Sequence, residues 1–185
     1  MQSLQNYLLI ASPTMEDPFF SRSVVYVCEH NQEGTMGLVI NQPVGMNLKE
    51  LVAQADEEAE VLDDKAEGIV LAGGPVNQDR GFILHSTQEG WTSSLVMNSE
   101  LMITTSKDIL STLGNDAGPD KSLVILGYSG WSAGQLEEEI QDNAWLMVEA
   151  TNELLFDVPI HKKWESAVHM LGIDVWQLGP DVGHA

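Results

Sequence analysis

The sequence predicts a single α+β domain over residues 1–185, and three observations point there. Strand-sized apolar runs come in neighbouring pairs separated by turn chemistry, helical periodicity is confined to a few short segments, and strands and helices do not alternate as a doubly wound sheet requires. No repeat, low-complexity tract or Pro/Ser-rich linker marks a domain boundary. A chain of this length buries roughly 70% of its unfolded surface, so it needs no metal or disulfide staple to fold.

Taken in order, YLLIA (7–11) is long enough for a strand and far short of a membrane span. SVVYVCEH (23–30), the turn NQEG (31–34) and MGLVINQP (36–43), stopped by Pro43, read as a hairpin. NLKELVAQA (47–55) is a helix with Asn47 as its N-cap and Glu50 three residues on. DEEAEVLDD (56–64) is expected to be a solvated helix end and loop. EGIVLAGGP (67–75) and GFILH (81–85) suggest a second hairpin around a longer loop, and SSLVM (93–97) with LMITT (101–105) a third. SKDILSTL (106–113) follows a Ser cap into a helix, and KSLVILGY (121–128) and NAWLMVEA (143–150) are further strands. PIHKKWESAVHMLG (159–172) is the last helix: Pro159 stands near its start, Ile160, Trp164, Ala167, Val168 and Leu171 share a stripe, and Gly172 stops it.

Charge narrows the function. The chain has 28 Asp and Glu against 8 Lys and Arg, a formal net charge of −20. Nucleic-acid affinity comes largely from Lys and Arg displacing counterions, and the only adjacent cationic pair is Lys162–Lys163. Direct DNA or RNA contact is therefore not expected, nor is an anionic membrane surface as partner. The single cysteine, Cys28, excludes an intramolecular disulfide, and the N-terminus lacks a secretory signal, so a soluble cytoplasmic protein is expected.

The stretch GYSGWSAGQLEEEI (127–140), directly after SLVIL, invites three readings. A Walker-type phosphate loop needs a basic residue and a hydroxyl after its last glycine, whereas Gly134 is followed by Gln135 and Leu136 and then by three glutamates. A nucleophile elbow would place Ser129 on a sharp strand-to-helix turn, with Asp157 and His161 or His169 following in chain order; Trp131 stands where that turn needs a small residue. The third reading is a structural joint. Gly127 and Gly130 permit a tight turn, Ser132 and Gln135 form a capping box, and Trp131 anchors the turn to the core. A binding role for Tyr128, Trp131 or Gln135 is compatible with it.

Other chemistry-bearing residues form no complete constellation. Cys28 and His30, two apart on a strand, point to one face, but two ligands do not make a zinc site, and no metal or cofactor is expected. His161, Glu165 and His169 would lie along one edge of the last helix, with the histidines about 12 Å apart, too far to share an ion. Arg22 and Arg80 are expected to pair internally with carboxylates such as Asp17 or Asp79.

GYSGWSAGQLEEEIQDNAWL (127–146) resembles the signature of the AlgH/YqgE family of bacterial proteins. So do LLIASPTMEDPFFSRSVVYVCEHNQEGTMGLVINQP (8–43), GGPVNQDRGFILH (73–85), TTSKDIL (104–110) and the closing GHA (183–185), which together cover nearly the whole chain. The resemblance implies a single α+β domain whose bifurcated antiparallel sheet curls into a pseudo-barrel, and a regulatory role connected with alginate production. Many relatives carry alanine where this chain has Ser129, which weighs against a nucleophile there. Arg80 and His85 lie in one family motif, whose loop could bring them near His30 around a small anionic ligand or an acidic peptide terminus, with Gly73 and Gly74 opening the backbone to it.

Two functions follow as expectations. The first is a non-enzymatic regulatory or adaptor protein acting through an unidentified protein partner or small ligand. The second is a hydrolase or transferase using His30, His85 or Ser129.

Overall fold

A computed structural model of the chain describes residues 2–172 and bears out the α+β class. Ten strands form a mostly antiparallel sheet whose path branches at one strand, so the expected bifurcation is present. The described residues fall into two compact units: residues up to Asn41 together with those from Ser129 on, and Gln42–Tyr128. Among them no helix is long and apolar enough to cross a membrane.

In the first unit, β1 (Tyr7–Ala11) lies between β10 (Trp145–Glu149) and β2 (Val24–Asn31), antiparallel to both. Flanked on both edges, Leu8 to Ala11 are fully buried, which is why YLLIA is an unbroken apolar run rather than an alternating one. β2 and β3 (Gly34–Val39) make the expected hairpin, and β3 pairs in turn with residues 129–132 of β9 (Ser122–Ser132). Leu9, Val25, Val39, Trp131, Leu136 and Trp145 pack into one core. A π-helical turn (Glu153–Asp157) was not foreseen. The last helix divides into a 3-10 turn (Ile160–Lys162) and α4 (Lys163–Met170), so His161 is not on the regular helix that carries Glu165 and His169. Trp164, Ala167 and Val168 are buried as the stripe required, and Gly172 closes the segment at φ +73°.

In the second unit, residues 122–128 of β9 lie between β5 (Ile69–Ala72), parallel to it, and β6 (Val76–His85), antiparallel to it. β4 (Pro43–Asn47) flanks β5, and β8 (Leu101–Thr104) and β7 (Ser94–Asn98) extend from β6. The expected hairpin of β5 with β6 does not form: both strands use β9, a partner far downstream of either. α1 (Leu48–Ala55) starts as predicted, Asn47 Oδ1 accepting the Glu50 N–H at 2.9 Å. SKDILSTL opens as a 3-10 turn (Lys107–Ile109) before α2 (Leu110–Leu113), because Ser106 Oγ binds Asp108 Oδ1 at 2.5 Å instead of capping the helix. Leu51, Val52, Val70, Ile83, Ile109 and Val124 are among the residues that form this unit's core.

The stretch 127–132 is corrected most. It is not a bend but the end of an eleven-residue strand, and the chain turns only at Ala133–Gly134 before α3 (Gln135–Gln141). Gly127 serves close approach instead. A Cβ on Gly73 would fall 2.3 Å from the Gly127 carbonyl oxygen, and one on Gly127, at φ +79°, would fall 2.7 Å from that of Gly74. The closing GHA lies outside the described residues.

Candidate functional site

In the first unit, a hollow of about 300 Å³ is lined by Ser3, His30, Asn31, Gln32, Gly134 and Glu137. The His30 imidazole at its wall is fully engaged. Nδ1 accepts the Leu4 N–H at 2.9 Å and so carries no proton, which leaves the ring hydrogen on Nε2, donated to Glu137 Oε1 at 2.5 Å. The bond from His30 and one from its own backbone N–H hold the Glu137 carboxyl below the usual carboxylate range. An imidazole acts as a general base through a nitrogen lone pair open to substrate, and this ring has none.

The stretch 127–140 is held by contacts within the fold. Trp131, 6% exposed, lies 6.1 Å from the Phe20 ring and 6.0 Å from that of Trp145. Ser129, 1% exposed, faces Gly37 across the ladder, mid-strand and far from the exposed elbow a nucleophile needs. Half of the capping box is present: Gln135 Oε1 accepts the Ser132 N–H at 3.0 Å, while the Ser132 hydroxyl donates to that same oxygen at 3.2 Å instead of capping the helix. Glu137 and Glu138 occupy the first turn of α3, where their charge complements the helix dipole.

Lys163 is a polar residue that sequence reading missed. It is 1% exposed, and its ammonium donates to the carbonyls of Leu154, at 2.9 Å, and Leu155. Those carbonyls belong to the π-helical turn, whose irregular end needs a donor. Burial pulls its pKa down to about 8, against the pull of the Asp157 charge. Its only signal in sequence is being one of a Lys–Lys pair, which gives no hint of burial.

The second unit buries His85 at the end of β6, with no exposed surface. Nδ1–H donates to the Ser86 carbonyl at 2.7 Å, and desolvation lowers its pKa, that bond opposing. The neutral ring therefore accepts the Thr104 hydroxyl at Nε2, at 2.7 Å, and Thr104 Oγ1 lies 2.7 Å from Ser94 Oγ. The outer member of this chain, Ser94, is exposed. Tyr128 packs edge-on against Phe82 at 6.0 Å.

A hollow of about 290 Å³ also lies within this unit. Leu51, Ile83, Leu110, Val124 and Leu126 form its floor, and Asp79, Arg80, Thr105 and Lys107 stand around it, with Gly81 between. Among the described residues the carboxylate pairing expected of the arginines is not found. The Arg80 guanidinium rests 5.3 Å from the Phe82 ring and that of Arg22 5.0 Å from the Trp164 ring. Asp17 instead accepts the Phe19 and Phe20 N–H groups, at 2.8 and 2.9 Å. Neither Arg80 nor Lys107 has a carboxylate within ion-pairing distance among the described residues. Arg80 and His85 do not converge: five residues apart on one strand, they are separated by roughly 17 Å. Among the described residues no three His, Cys, Asp or Glu side chains gather as metal ligands would.

Comparison with known proteins agrees over the whole length. Residues 8–176 match the AlgH-like family model. UPF0301 proteins of Pseudoalteromonas translucida and Idiomarina loihiensis are 50% and 51% identical, each over 100% of both chains. The solution structure of the AlgH protein from Pseudomonas aeruginosa superposes with a TM-score of 0.80 at 43% identity, covering 100% of this chain and 97% of that one. A crystal structure from Corynebacterium diphtheriae, 19% identical with a TM-score of 0.74 over 96% and 92% of the two chains, shares the fold.

Proposed function

The chain belongs to the AlgH-like family, and we propose that it is a non-enzymatic regulatory or adaptor protein that acts by binding a small ligand or a protein partner, without direct contact with DNA. The observation that carries this reading is the engagement or burial of the three side chains an enzyme was expected to use, His30, His85 and Ser129. Both nitrogens of His30 and both of His85 are hydrogen-bonded within the protein, and Ser129 is buried in a strand. The net charge of −20 supports the second half, because a duplex offers such a surface repulsion rather than counterion release.

The enzymatic alternative, a hydrolase or transferase, has one observation in its favour: the hydroxyl chain from His85 through Thr104 ends at the exposed Ser94. The test therefore has two arms. A fluorophosphonate probe is expected to leave every serine unlabelled, and labelling of Ser94 or Ser129 would replace the binding reading with the enzymatic one. Mobility-shift assays on duplex DNA across salt concentrations are expected to show no complex; binding that weakens with salt would overturn the exclusion of DNA.

A further inference from the structure

We propose that the outer edge of β7 is a docking surface for a second copy of this chain, the two β7 strands pairing antiparallel about a two-fold axis at Leu95. This contact goes beyond the binding reading above and does not depend on it.

β7 ends the path of strands, with β8 on one side and, among the described residues, no strand on the other. The Thr105 N–H donates to the Ser93 carbonyl at 2.9 Å, which makes Ser94–Thr104 and then Val96–Met102 the non-hydrogen-bonded pairs of this ladder. The amides and carbonyls of Ser94 and Val96 therefore point away from β8, and among the described residues no group bonds them. Leu95 and Val96 are 60% and 61% exposed, more than any other large apolar side chain described. Free edges elsewhere are blunted: β4 carries Pro43, Gly45 and a register break, and β10 carries Glu149. β7 has neither proline nor charge, and its register break with β8 falls after Val96, so Ser94 to Val96 stay regular.

Outward donors and acceptors on alternate residues are met by an extended strand. Charge selects this chain as its source. With a net charge of −20 the protein attracts cationic partners and repels its own copies over most of its surface, yet Glu100, at the turn, is the one charged residue from Gly90 to Ser106. A cationic partner finds no acid to pair with along this edge, whereas a second copy meets a face that does not repel it. Centring the two-fold on Leu95 sets Ser94 opposite Val96 of the other copy twice, each pair exchanging both N–H···O bonds, and brings the two Leu95 side chains together. The same arrangement holds the two Glu100 side chains at opposite ends, roughly 25 Å apart, well beyond the Debye length of about 10 Å at about 0.1 M salt. Parallel pairing would set them side by side. One short strand pair makes a small interface, so the dimer is a weak one.

Sedimentation velocity of the full chain from about 10 µM to about 1 mM is expected to show a reversible monomer–dimer equilibrium. Raising NaCl from about 50 to about 500 mM should tighten it about threefold or more, because salt screens the repulsion between copies. Amide hydrogen exchange at the top of that range should slow about fivefold at Ser94 and Val96 relative to the bottom, while Leu95, already bonded to β8, stays unchanged. Val96→Pro removes an outward donor and no bond to β8, and is expected to abolish the dimer. Leu95→Glu and Leu95→Lys each alter an exposed side chain and should weaken the dimer about tenfold or more, by setting like charges opposite one another. An equimolar mixture of these two variants should restore it. Monomers at every concentration would overturn the proposal, the edge then falling to an extended segment of another protein. So would a dimer that both Leu95 variants leave intact, or a mixture that associates no more tightly than either variant alone.

Discussion

Two hollows of nearly equal size, about 300 and 290 Å³, differ in what faces them. Around the first, the polar groups answer one another: His30 gives its proton to Glu137 and takes one from the Leu4 amide. Around the second, Lys107 has no acid partner among the described residues and the floor is apolar. Size alone does not make a site. A ligand gains from groups whose hydrogen-bonding capacity is unfilled and from apolar surface it can dry, and only the second hollow has both.

The comparison would break first if the groups of the first unit were dispensable. Trp131→Ala should destabilise the protein by about 4 kcal/mol in urea unfolding, the usual cost of removing a buried aromatic ring. A loss under about 1 kcal/mol would mean that the indole is not part of the core.

Lys163 gives the next largest effect, and its sign is specific. The folded-state pKa is depressed to about 8 from 10.5, so the unfolded chain holds more protons between those values and stability rises with pH across that window. Relative to Lys163→Met, the wild type should gain on the order of 3 kcal/mol from below pH 8 to above pH 10.5. Comparison with the variant cancels the opposing trend from Tyr26 and Cys28, whose pKa values burial raises. A flat difference would place the ammonium in solvent.

Glu137→Gln probes the first hollow itself and should cost about 1 kcal/mol near neutral pH. Because the Glu137 pKa is depressed, its stabilisation is present above the ordinary carboxylate range and disappears as pH falls through its folded-state value. The difference between wild type and variant should therefore shrink in acid, as followed by urea unfolding at several pH values. Smallest of all, Arg80→Gln should change stability by no more than about 0.5 kcal/mol, since its charge supports no ion pair among the described residues. A larger loss in thermal unfolding would move Arg80 to the architectural side of the comparison.

What the sequence disclosed divides along the same physical line. Local chemistry was legible: the hairpin of β2 and β3, the Asn47 cap and the burial of Trp164 and Ala167 all follow from neighbours within a few residues. Long-range choices were not. GGP between IVLA and GFILH looks like a hairpin connection, yet β5 and β6 both pair with β9, and the glycines serve contact between residues 73–74 and 127. The partner of His30 is 107 residues away, beyond any spacing rule. Gly127 and Gly130 promised a turn that the strand ladder with Met36 and Gly37 overrides. Gly81 was readable only as the first residue of a strand, whereas it lies inside β6 where the register with β9 is broken.

The central claim, that the imidazoles of His30 and His85 belong to the fold and are not poised for chemistry, is tested most directly by a long-range ¹H–¹⁵N spectrum of these two rings near neutral pH. His30 should appear as the Nε2–H tautomer with Nδ1 as acceptor, and His85 as the Nδ1–H tautomer with Nε2 as acceptor. Rings that average between tautomers, with nitrogen shifts of imidazoles free in solvent, would contradict it.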